Sequence, residues 1–171
     1  MNVVGDELDI KGAGLYCLMP YERLDNTGKA VFKIGMTAKS FEYRLEIYHS
    51  YYPLGVYMVC FLQNPPVDGL KFKTKTQLYL HIERFIMEKL KEIRGTHQIT
   101  STSRVRNLNV NKEGETEFFY TTQKHINDVF NVAQEEFGGE LFSFTLDHIN
   151  NNYEKNMKAN KKYVAEIVYK F

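Results

Sequence analysis

An α/β (α+β) fold, a small sandwich with helices flanking a central antiparallel or mixed three-stranded sheet, follows from three features of the sequence. Two short apolar runs flank a polar, turn-forming stretch at 21–29, the pattern of a β-hairpin. A third run, 54–62 (LGVYMVCFL), is apolar almost throughout, as a central strand requires. Two later segments, 76–93 and 124–137, repeat apolar residues every three or four positions, the helical period. At 171 residues and 43% hydrophobic content, the chain has material for one core and an appendage.

The elements follow in order. Residues 14–19 (GLYCLM) form the first strand, which stops at Pro20 because proline cannot donate to a ladder. Asn26 and Gly28 turn the chain, and 30–35 returns as the second strand. Ser40 is a good N-cap for a helix over 41–50, with Phe41, Leu45 and Tyr48 on its apolar stripe. The third strand is closed by Asn64-Pro65-Pro66. A basic stretch at 71–75 leads into the helix 76–93, whose core face is Leu78, Ile82, Phe85, Ile86, Leu90 and Ile93; Gly95 stops it. Residues 95–114 read as a polar loop or hairpin, and 117–120 as a strand. The helix 124–137 ends at Gly138-Gly139, and an Asn- and Lys-rich stretch runs to a last strand over 163–169. The expected organisation is a core over 1–120 with a C-terminal α/β extension, 121–171, packed on it.

The formal charge of +1 points to no class of partner, but its distribution does. Residues 71–114 carry ten Lys/Arg against four Asp/Glu, whereas both flanks are acidic. A basic middle segment is either a phosphate-facing surface or a solvated helix and loop. Cys17 and Cys60 lie in apolar runs and read as buried free thiols. No cationic and apolar leader opens the chain and no 18-residue apolar run occurs. An intracellular location, in the cytoplasm or nucleus of a host, or a virion location is therefore expected, with no secretion and no membrane partner.

Among the acids of the helix 76–93, Glu83 stands apart. Its neighbours at three and four residues are Tyr79, Leu80, Ile86 and Met87, whereas Glu88 has Arg84, Phe85, Lys91 and Glu92. A buried carboxylate needs a cation, and Arg44, Lys33 or a metal could supply it. The alternative is a residue at the edge of the stripe with its head in water. Arg44 and Tyr48 are four apart on one helical face. Lys33 has apolar strand neighbours, so it is either a site residue or an edge-strand lysine facing solvent. Tyr16 sits in an apolar strand, where a core ring with a satisfied hydroxyl is the commoner role. The five histidines show no metal spacing with either cysteine, and there is no Gly-rich phosphate loop.

Gly14-Leu15-Tyr16, then Lys33-Ile34-Gly35-Met36-Thr37, then Arg44, then a helical glutamate, resembles the GIY-YIG nuclease superfamily, in its phage and giant-virus branch with a KIGxT second motif. Gly114-Glu115-Thr116-Glu117-Phe118-Phe119 is similar to the Gly-x-x-Glu-aromatic-Phe strand that closes the core in that branch. The eleven positions from Lys33 to Arg44 and the four from Arg44 to Tyr48 match superfamily members whose second motif begins with Lys. The resemblance covers about residues 12–120 and departs from the pattern at Leu15, at Lys33 in place of a tyrosine, and in a long loop between the motifs.

The resemblance implies a divalent-metal-dependent DNA endonuclease, of viral or phage origin. Tyr16, aided by Lys33, would position or deprotonate the attacking water, with Tyr48 as the alternative base. Arg44 would neutralise charge on the phosphoryl oxygens. Glu83 would hold one Mg²⁺ or Mn²⁺ ion. Arg94, Arg104, Arg106 and Lys112 would contact the DNA backbone. The rival expectation is a catalytically silent protein of the same fold, a DNA-binding or structural component such as a minor capsid protein, partnered with other chains in a larger assembly.

Overall fold

Each of the three apolar runs near the N-terminus becomes a strand, and their order in space is set by which of them can be covered on both faces. The computed structural model describes residues 12–20, 27–41, 56–67, 71–99 and 117–143. Within these, the elements are β1 (Gly14–Pro20), β2 (Lys29–Thr37), β3 (Val56–Gln63), α1 (Lys75–Lys91), β4 (His97–Gln98), β5 (Phe118–Thr122), α2 (Gln123–Phe137) and β6 (Glu140–Ser143). The strands form one sheet in the order β4-β5-β2-β1-β3-β6, and every pair is antiparallel. The class is therefore α+β.

β1 lies between β2 and β3. Its residues Leu15 to Met19 are all buried, so the sheet is covered on both faces at its centre. The register pairs Tyr16 with Gly35 and Leu18 with Lys33 on one side, and Tyr16 with Phe61 and Cys17 with Cys60 on the other. Side chains alternate along a strand, so these pairs sort by face. Cys60 Sγ reaches Asn127 Oδ1 of α2 at 2.9 Å, which marks the Cys17–Cys60 side as the face under α2. Tyr16 and Phe61 take the opposite side, where Phe41 packs edge-on to both rings at 5.2 and 5.5 Å.

Each helix begins after a capping threonine, one residue before the starts expected at 76 and 124. Thr74 Oγ1 accepts from Gln77 N at 3.2 Å, and Thr122 Oγ1 accepts from His125 N at 3.2 Å. α1 lies along β1 and β2, and α2 along β3 and β6. The two helices meet where the Phe137 ring stands edge-on to His81 and Phe85, at 5.6 and 5.1 Å. Among the described residues no helix is long and apolar enough to cross a membrane.

The expected three-stranded sheet is corrected to six strands. β5 was anticipated as a strand over 117–120 and joins the sheet beside β2 as 118–122. β4 has two residues and β6 four, too short to show a period of two in sequence. β6 exists because Gly138 and Gly139 take φ values of 78° and 99°, which reverse the chain immediately after α2. A Cβ on Gly139 would lie 2.8 Å from Gln63 O, so only glycine lets the turn pass so close to the end of β3. β5 runs straight into α2, and residues 123–143 belong to the same sheet and helix layer as the strands before them. Of the expected helix 41–50 only Phe41 is described; the expected strand over 163–169 lies outside the described residues.

Candidate functional site

The hairpin β1–β2 carries the first two candidate residues. Tyr16 is buried, and its ring lies across the backbone of Gly35. A Cβ at position 35 would sit 2.5 Å from Tyr16 Oη and inside contact distance of the ring. The glycine of the second motif is thus the bed of the tyrosine of the first. One row further along, Lys33 projects from the same face of the hairpin as Tyr16, by alternation through Ile34.

Lys33 is not an edge-strand lysine. β2 is flanked by β1 and β5, and Lys33 is only 9% exposed. Its ammonium forms an ion pair with Glu117 Oε2 and stands 5.1 Å from the centre of the Phe118 ring. The Glu117 backbone is fixed too, since its carbonyl accepts from Ile34 N at 2.8 Å. The Glu117 side chain is 44% exposed and that of Lys33 11%, so the pair runs from a covered floor to an open rim. Burial of an ammonium requires such a partner. Glu117 carried no role in the sequence reading. Its signal was present in the Glu-aromatic-Phe string, but the contact spans 84 residues and only the sheet creates it.

Glu83 sits in the buried stripe of α1 with Tyr79, Ile82 and Ile86, at 8% exposure, and is not left without a partner. Glu88 and Glu92 face solvent in ion pairs with Lys91 and Lys89. The neighbour pattern therefore separated the buried acid from the solvated ones correctly. α1 packs along β1 and β2 beside α2, on the Cys17–Cys60 face of the sheet, whereas the Tyr16 and Lys33 side chains project from the opposite face of the hairpin. One turn before Glu83, the Tyr79 hydroxyl is buried with no hydrogen-bond partner among the described residues, and burial raises its pKa.

Glu83 by itself would offer one carboxylate to a hard cation such as Mg²⁺, which takes few protein ligands and keeps most of its waters. No group of three His, Cys, Asp or Glu stands together among the described residues. Arg44 and Tyr48, and the DNA-contact candidates Arg104, Arg106 and Lys112, lie outside the described residues. Arg94 follows α1 and is exposed.

One polar cluster was not anticipated, and the two cysteines are buried free thiols as expected. Thr96 Oγ1, Thr121 Oγ1 and His125 Nδ1 form a chain with steps of 2.7 and 3.1 Å, tying β4 and β5 to the start of α2. Cys17 and Cys60 face each other across β1 and β3. Burial pushes the Cys60 thiol up to about 12 and the Cys17 thiol well above its usual value, so both stay protonated and inert. Comparison with protein-family models, curated proteins and solved structures finds no match to this chain.

Proposed function

We propose that the protein is a GIY-YIG-like endonuclease that hydrolyses DNA phosphodiester bonds with one bound Mg²⁺ or Mn²⁺. The observation that supports this reading best is the pairing of Tyr16 with Lys33 on one face of the hairpin, with the Tyr16 ring bedded on Gly35. A scaffold needs neither a lysine buried in an inner strand nor a glycine reserved for a tyrosine ring.

In this reading Tyr16 Oη takes a proton from the attacking water as the water oxygen bonds to phosphorus. The P–O3′ bond breaks, and the 3′ oxygen is protonated from solvent. Lys33 holds positive charge beside Tyr16, which favours the phenolate and draws the phosphate in. Arg44 balances charge on the non-bridging oxygens, and Tyr48 is the alternative base. Glu83 holds the ion, which when bound supplies charge against the leaving oxygen. Glu117 orients the Lys33 ammonium from the rim.

A second reading has one observation in its favour. Glu117 already neutralises Lys33, as a purely structural ion pair would. The protein would then be a silent member of the fold, binding DNA or serving in a particle of viral or phage origin. Incubation of supercoiled plasmid with the protein and Mg²⁺, beside Arg44→Ala and Glu83→Ala, separates the two. The endonuclease reading expects nicking that falls about a hundredfold or more in each variant. Equal activity in all three proteins sinks it.

A further inference from the structure

The ion pair between Lys33 and Glu117 is asymmetric, and the asymmetry decides which member can leave. Lys33 belongs to β2, with β1 on one side and β5 on the other, and its side chain is 11% exposed. Its ammonium also stands 5.1 Å from the centre of the buried Phe118 ring, whose face attracts a cation. The cation is therefore fixed, and the fold has already stripped much of its water. Glu117 directly precedes β5, and its side chain is 44% exposed.

The backbone beneath Glu117 is held on both strands beside it. Its own carbonyl accepts from Ile34 N at 2.8 Å, and the next, of Phe118, accepts from Ile99 N at 2.9 Å. Rotation about side-chain bonds alone carries the carboxylate from Lys33 into solvent, where hydration replaces the ion pair. The fold thus presents a covered cation and a carboxylate able to leave it. What takes the carboxylate's place must be an anion, since a covered ammonium needs a counter-charge. A phosphodiester carries one negative charge, as a carboxylate does, so the exchange is one for one. It swaps one charge-assisted hydrogen bond for another. Tyr16 projects from the same face of the hairpin, so an anion seated at Lys33 arrives on the side where the phenol stands.

We propose that Glu117 is a stand-in anion, which occupies Lys33 in the free protein and is displaced by a phosphodiester oxygen of DNA. The choice of a phosphodiester rests on the endonuclease reading; the exchange rests on the unequal exposure of the two partners. Glu117 keeps the ammonium matched while the site is empty. It also sets a threshold, because a tethered carboxylate competes at high effective concentration. Dilute free anions fail against it, and a polyanion held by several contacts at once succeeds.

Binding of the full chain to a short labelled duplex, without divalent ions, tests this. Glu117→Gln keeps the shape of the side chain and removes the competing charge. With the carboxylate away from Lys33 for about a tenth to a third of the time, the variant should bind about threefold to tenfold more tightly than wild type. Lys33→Met should weaken binding and erase that gain, so that Lys33→Met/Glu117→Gln binds no better than Lys33→Met. Glu140→Gln, at an exposed acid on the far edge strand β6, controls for net charge and should change affinity by less than about twofold. Matched thermal melts confirm that each variant is folded at the assay temperature. A measurement on the wild type stands apart from the variants: in protein labelled at glutamate, the Glu117 carboxyl carbon resonance should move toward that of a solvated carboxylate on saturation with duplex. An unchanged or weaker affinity in Glu117→Gln overturns the proposal, as does a resonance that stays in place. So does a gain of the same size in the Lys33→Met background, which is a net-charge effect. A gain that needs Lys33, in a protein that leaves plasmid uncut with Mg²⁺, upholds the exchange and sinks the endonuclease reading. Plasmid cutting with the affinity of Glu117→Gln unchanged does the reverse.

Discussion

Gly35→Ala should destabilise the protein through one identifiable collision. The new Cβ would lie 2.5 Å from Tyr16 Oη, where carbon and oxygen need well over 3 Å. The ring has little room to yield. Tyr16 is 1% exposed, Phe41 stands edge-on to it at 5.2 Å, and Phe41 is itself held by Phe61 at 5.5 Å. Overpacking of this kind costs about 1–3 kcal/mol. Replacing glycine restricts the unfolded chain and returns about 0.4–1 kcal/mol. The net loss is about 1–2 kcal/mol, which for a domain of this size lowers the melting temperature by roughly 2–8 °C. Urea denaturation followed by far-UV circular dichroism gives the value directly. Combining Gly35→Ala with Tyr16→Ala removes the clashing ring, so the pair should couple by about 1 kcal/mol in a double-mutant cycle. A Gly35→Ala protein as stable as wild type, or strict additivity with Tyr16→Ala, would refute the claim that the two motifs meet at this contact.

Three other outcomes follow from the geometry. Glu117→Gln should cost about 1–3 kcal/mol because it removes the charge that the covered Lys33 ammonium pairs with, whereas Lys33→Met should cost less because Glu117 can turn to water; urea midpoints of the two variants compare them. Tyr79→Phe should leave stability unchanged or raise it slightly, since the hydroxyl has no partner among the described residues; a loss of about 1 kcal/mol or more in thermal melts would show that a bond is made to it. Burial raises both thiol pKa values, so the folded state keeps protons that the unfolded chain gives up above its ordinary thiol pKa near 9. Stability from this source is complete below pH 9 and is lost as pH rises toward about 12, with a limiting slope of about 1.4 kcal/mol per pH unit for each thiol. Denaturation at pH 8 and pH 10.5 should show that fall, and Cys17→Ala/Cys60→Ala should flatten it.

The hairpin, the third strand and both helices were legible in the chain because each carries its own period or punctuation. Apolar runs ended by Pro20 and Asn64-Pro65-Pro66, the glycine stops at Gly95 and Gly138-Gly139, and the stripe through Leu78, Ile82 and Ile86 are local signals, and local physics suffices to place them. The distinction between Glu83 and Glu88 was local in the same sense, since neighbours at three and four residues set which side of a helix is covered. The edge strands were not legible. Two residues in β4 and four in β6 are held by partners far away in sequence, and a short ladder adds no pattern of its own. Glu117 was missed as the partner of Lys33 for the same reason, because an ion pair across 84 residues exists only once β5 has docked beside β2. The bedding of Tyr16 on Gly35 lies between these cases. Both residues stood out as parts of short motifs, but their contact depends on the register of β1 against β2, and a slip of one residue would send the ring to the other face of the sheet.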